Sequence, residues 1–143
     1  MTTTRDNLKD LTLEEGIAAL KAAVLVRGET FVYPEEEKIE SDGDTVCVYT
    51  REVDGKTVGS CLIGVALIDV LGMDPAKIDG LNDISYTAMA RYGRDDFSLL
   101  NRVFREAQRN QDRGVAWGES VEHALDAWAT DIKIELAYPD GRV

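Results

Sequence analysis

Asp54-Gly-Lys-Thr-Val-Gly-Ser-Cys-Leu-Ile-Gly-Val-Ala-Leu-Ile-Asp-Val-Leu-Gly72 is the stretch on which the fold turns. Asp54 and Gly55 both tolerate positive φ, so the pair is a two-residue hairpin turn. Residues 45–53, rich in β-branched and aromatic side chains, read as the incoming strand and Thr57 to Ser60 as the returning one. Residues 61–71 are then apolar nearly all round, with Asp69 the single charge, and a helix of that kind belongs in the centre of a domain. Cys61 stands where the strand hands over to this helix.

Working outward, Thr12-Leu-Glu-Glu15 has the spacing of a capping box, in which the Thr12 hydroxyl and the Glu15 carboxylate satisfy each other's backbone N–H groups. It predicts an amphipathic helix over 13–27, with Leu13, Ile17, Leu20 and Val24 facing inward and Gly28 closing it. Residues 29–33 have strand composition and stop at Pro34. From Glu35 to Asp44 six acids and one lysine surround Ile39, which predicts a mobile acidic loop.

Beyond Gly72, Asp74-Pro75 suggests a helical turn through Ile78, and Asn82 or Asp83 caps for a short helix over 84–92. Asp95-Asp96 precede a helix over 97–113 with Phe97, Leu100, Val103, Phe104 and Ala107 on its apolar face. The last helix begins near Glu119; Ile132, Ile134 and Leu136 alternate as in a strand, but Leu125, Trp128 and Ile132 continue a helical stripe, and the reading favours a helix past Asp131. The expected fold is α+β, a small antiparallel sheet built from strands at Phe31, Thr45 and Thr57. A buried central helix and three or more further helices pack with it.

The chain of 143 residues reads as a single domain, 1–143, with 1–11 flexible. Its 27 acidic and 16 basic residues give a net charge of −11, which disfavours nucleic acid and anionic membranes and makes a basic partner the simpler expectation. The apolar run from Cys61 to Ile68 is too short to span a bilayer, and the first residues carry no apolar signal region, so an intracellular protein is expected. Two cysteines and one histidine complete no zinc set, no phosphate-cradling glycine loop follows Gly55, Gly59 or Gly64, and neither a metal nor a cofactor is expected.

One catalytic pair can be drawn. Cys61 at a helix N-terminus would have its thiolate stabilised by the helix dipole, His123 would be its base, and Asp126 or Glu122 would orient the imidazole. Against this stands the buried, structural cysteine. Paired acids such as Asp95-Asp96 and Glu14-Glu15 are explained by helix caps and first-turn charges.

Surface candidates are Arg102, Arg105, Arg109 and Arg113, which recur at intervals of three, four and four and so form a row on one side of their helix. Trp117 is either a plug in the core or a contact anchor. The acidic stretch Glu35 to Asp44, net −5, raises the further alternative of a DNA mimic that inhibits a DNA-binding enzyme.

With Phe31-Val32-Tyr33, Cys47-x-Tyr49, Ser60-Cys-Leu-Ile-Gly64 and Gln111-Asp-Arg-Gly-Val-Ala-Trp-Gly-Glu119 in view, the chain resembles small uncharacterised proteins encoded by phages of actinobacteria, from Phe31 to Leu125. That pattern carries His after the helix glycine, where this chain has Val65. The Cys-x-x-Gly helix with Asn82-Asp83 is also similar, more distantly, to a bacterial domain of unknown function. The resemblance implies a non-enzymatic phage accessory protein that binds a host or phage protein in the infected cell's cytoplasm. A small cysteine-dependent enzyme using Cys61 and His123 is the alternative. Composition leaves the partner and the oligomeric state open.

Overall fold

The computed structural model describes residues 8, 10–34, 36, 39–41, 44–46, 48–75 and 98–138. Helix α1 (Leu13–Arg27) opens with the predicted capping box: Thr12 Oγ1 accepts from Glu15 N, and Thr12 N donates to Glu15 Oε1, each at 3.0 Å. Gly28, at φ 106°, ends it. Two separate hairpins follow, β1 (Ile39–Ser41) with β2 (Asp44–Val46) and β3 (Thr50–Val53) with β4 (Lys56–Gly59), both antiparallel. The α+β class stands, but the single sheet becomes two two-stranded ones, and Phe31-Val32-Tyr33 belongs to no strand. Its carbonyls and side chains are used elsewhere, in packing helices together.

The hairpin turn is as the sequence dictates, with Asp54 at φ 51° and Gly55 at φ 79°, joining Val53 to Lys56. The central helix α2 begins as an α-turn (Leu62–Gly64) and passes at once into a π-helix (Val65–Val70). Leu71 N bonds Ala66 O at 3.0 Å, one residue further back than an α-helix reaches. Every residue from Cys61 to Leu67 is buried. Helix α1 and the long helix α3 (Leu99–Asp112) both pack on α2, and β4 lies along it.

Two glycines permit that approach. A Cβ on Gly64 would come within 2.0 Å of the Tyr49 carbonyl oxygen, and one on Gly59 within 2.4 Å of the Val65 backbone. Backbone therefore rests directly on backbone where hairpin meets helix. Ser60 N and Cys61 N extend the ladder by donating to Tyr49 O (2.8 Å) and Val48 O (3.1 Å).

Helix α3 is capped by Ser98, whose hydroxyl accepts from Asn101 N at 3.2 Å. The expected caps Asp95-Asp96 lie outside the described residues, as do the helical stretches expected over 76–78 and 84–92. Helix α4 (Trp117–Ala127) packs against α3, and α5 (Ala129–Ala137) touches α1 and α4. The segment after Asp131 is thus helical, with the helix interrupted at Trp128, where φ is −114°. At the other end, Leu8 and Leu11, which fall within the segment 1–11 expected to be flexible, are fully buried in the core, and residues 1–7 and 9 lie outside the described residues.

Candidate functional site

Cys61 is the N-cap of α2, and its Sγ accepts a hydrogen bond from Gly64 N at 3.4 Å. The next two amides of the helix end, which have no partner within the helix, are taken by α3: Leu62 N donates to Gln111 Oε1 at 2.9 Å and Ile63 N to Gln108 Oε1 at 3.3 Å. Both glutamine amides donate onward to Asp112 Oδ1, at 2.9 Å from Gln111 Nε2 and 3.3 Å from Gln108 Nε2. The carboxylate thereby fixes which end of each amide faces α2. In the sequence Asp112 is only an acid next to Arg113; its glutamine partners become visible once α3 is laid across the helix start.

This arrangement decides the chemistry of the thiol. Cys61 is 0% exposed. Burial pushes its pKa from 9.0 up to about 12, the neighbouring Asp112 charge adds to the rise, and the Gly64 N–H, the Gln108 amide and the Ile63 N–H oppose it without overcoming it. A helix N-terminus favours the thiolate, but desolvation of the charged form is larger here. Cys61 is therefore a neutral thiol at neutral pH and a packed cap. His123 sits exposed on α4, with Glu122 and Asp126 exposed beside it. The groups acting on the thiol are those of α2 and α3, so the pair Cys61 and His123 is not assembled as nucleophile and base.

A second constellation surrounds Ser60. Its hydroxyl and Tyr33 Oη are 2.7 Å apart, Tyr33 Oη also receives Val48 N at 3.4 Å, and Arg27 Nη1 donates to Ser60 O at 3.0 Å. The Arg27 guanidinium lies 4.0 Å from the Phe31 ring centre and 5.9 Å from that of Trp117, while the two rings meet edge to face at 5.0 Å. Trp117 N and Gly118 N donate to Phe31 O and Glu29 O, both at 2.8 Å, so the start of α4 is capped by the chain leaving α1. Trp117, a candidate contact anchor, is 0% exposed and fills the core instead. On the outer side of α2, Asp69 Oδ1 accepts from Gly59 N at 3.2 Å. Desolvation raises the pKa of this carboxyl, with the Gly59 N–H, Arg51 and Arg27 pulling it back.

Chemistry in reach of solvent is different in kind. Among the described residues no group of three or more His, Cys, Asp and Glu side chains is placed to hold a metal ion. Arg105, Arg109 and Arg113 are exposed on α3, and Arg102, half-buried, stacks 5.4 Å from the Trp128 ring centre. Large apolar side chains are bare on α1 and α5: Leu25 is 74% exposed, and Val26, Ile134, Leu136 and Tyr138 are also exposed. Within the expected acidic loop 35–44, residues 36, 39–41 and 44 are described, and Ile39–Ser41 pairs with Asp44–Val46 as the β1–β2 hairpin; Cys47 lies outside the described residues. No helix among the described residues is long and apolar enough to cross a membrane. Comparison with protein-family models, with curated proteins and with solved structures finds no match in any of the three.

Proposed function

We propose that this chain is a non-enzymatic accessory protein that acts by binding another protein, within a phage-infected bacterial cell as its sequence resemblance suggests. The observation that carries the reading is the bare apolar surface of α1 and α5, two helices in contact with one another. Leu25 and Val26 leave the last turn of α1 uncovered, and Ile134 and Leu136, with Tyr138 just beyond, do the same for α5, which has no buried residue at all. Single exposed apolar side chains are ordinary, but several on touching elements mark a contact surface. The sealed, protonated Cys61 supports the same reading from the other side, because the one nucleophile considered for catalysis is committed to capping α2.

The test is capture of a partner from lysate of an actinobacterial host by the tagged chain. The wild type retains a specific protein, and Leu25→Asp combined with Ile134→Asp releases it while circular dichroism stays unchanged. Equal retention by the variant, or no specific protein from infected and uninfected lysates alike, overturns the proposal.

A further inference from the structure

We infer that α5 pairs, parallel and in register, with the α5 of a second copy of this chain about a two-fold axis. The pairing takes the outward side of α5, leaves Leu25 and Val26 of α1 to the partner, and goes beyond the protein-binding reading without depending on it. Ile132 is the α5 residue that packs, partly buried, on the core. At 100° per residue Ile134 stands about 160° round the helix from it, and Thr130, Ala137 and Tyr138 fall within about 60° of Ile134. Tyr138 N donates to Ile134 O at 2.9 Å, which sets this residue one turn above Ile134. All four are exposed. The helix thus has a second, largely apolar side that the fold of one copy leaves bare.

The charges bordering that side determine what covers it. Lys133 lies about 100° to one side of Ile134, and Asp131 and Glu135 lie about 60° and 100° to the other, all three exposed. Lys133 has no acid three or four residues away in its own helix, and Asp131 and Glu135, four apart, repel one another. One edge is therefore cationic and the other anionic. A two-fold axis parallel to the helices brings the cationic edge of each copy against the anionic edge of the other, twice over. The heights agree as well: Lys133 is about 3 Å along the axis from Asp131 and from Glu135, so each ammonium faces the interval between two carboxylates. Antiparallel pairing would set Lys133 against Lys133 and acids against acids. A wholly acidic or wholly basic partner satisfies one edge and is repelled by the other, whereas the chain's own α5 satisfies both.

At the centre Ile134 meets Ile134 of the second copy, and the small side chains of Thr130 and Ala137 let the two helices approach closely. The helix has nine residues and is about 14 Å long. That is a small interface, so the pair is weak and exchanging, and the monomer prevails in dilute solution. Each copy carries −11, but charges remote from α5 are screened beyond about 8 Å at physiological ionic strength, which leaves the two edges to set the orientation.

Sedimentation equilibrium of the purified chain at physiological ionic strength, from about 10 μM to about 1 mM, tests the charges. The wild type self-associates. Lys133→Glu, and separately Asp131→Lys with Glu135→Lys, each weaken this by about tenfold or more, and an equal mixture of the two variants restores it, because each supplies the edges that the other lacks. Disulfide trapping reads the orientation. In a Cys47→Ser background, Thr130→Cys, Ile134→Cys and Ala137→Cys, introduced singly, each cross-link to their own copy faster than Glu122→Cys on α4, since a parallel in-register pair sets every position opposite itself. A wild type that stays monomeric throughout the range, a mixture no more associated than its components, or cross-linking of Ile134→Cys alone overturns the inference. If the chain is monomeric yet still captures its partner from lysate, the α5 pairing alone is refuted and the protein-binding reading stands.

Discussion

Cys61 shows how a residue's neighbours override its position. At the first turn of a helix the macrodipole lowers a thiol pKa, and on a mobile surface helix this cysteine would be a nucleophile. Here complete burial outweighs the dipole and pushes the pKa up to about 12. The folded value lies above the ordinary value of 9.0, so ionisation favours the unfolded chain. Stability from this group is whole below pH 9 and falls as pH rises from 9 towards 12. In a Cys47→Ser background, iodoacetamide labelling of Cys61 at pH 7 should proceed only as fast as the protein opens, and denaturant melts at pH 8 and 10 should show a loss that Cys61→Ser lacks. Rapid labelling of the folded protein at pH 7 would revive the enzymatic alternative. The cysteine was visible in the sequence, whereas its sealing by Gln108 and Gln111, which are 45 and 50 positions away from Ile63 and Cys61, needed the helices to be packed.

At the scale of elements, the hairpin and α2 act as one unit because their backbones touch. The sequence made Asp54-Gly55 legible as the turn and residues 61–71 as the buried helix, since turn chemistry and all-round apolarity are local properties. It did not show the π-helical continuation, which depends on how Val65–Val70 packs between α1 and β4. Nor did it show that Gly59 and Gly64 face backbone. Gly64→Ala should destabilise the fold by at least about 3 kcal/mol, because the intruding methyl meets the Tyr49 carbonyl and not a side chain that can turn aside. Gly55→Ala strains only a solvent-facing turn at φ 79° and should cost about 1 kcal/mol. Urea melts of the two variants compare them directly; a Gly64→Ala protein as stable as Gly55→Ala would show that hairpin and helix are not in backbone contact.

Across the whole molecule, stability and surface are unevenly shared. The core runs from Leu8 and Leu11 through α1, α2, α3 and α4, and α5 contributes only the partly buried Ile132. Amide exchange should therefore be slowest in α2 and α3 and fastest in α5 among the helices. Ile134→Asp or Leu136→Asp should shift unfolding by no more than about 0.5 kcal/mol, whereas Leu67→Ala in the sealed core should cost about 2–5 kcal/mol. A large loss from the α5 substitutions would mean that this helix is part of the core and not a free surface. By itself the sequence determined the features that arise within a few residues or from summed charge: the capping box at Thr12, the turn at Asp54-Gly55, the buried character of α2, the arginine spacing on α3 and the net charge of −11. Only the tertiary structure decided that Phe31–Tyr33 gives up its strand propensity to cap α4 and anchor Ser60, that Trp117 is core, and that Cys61 is sealed within it. Those outcomes depend on burial and on partners far apart in the chain, and the free energies involved exceed the local preferences that a sequence displays.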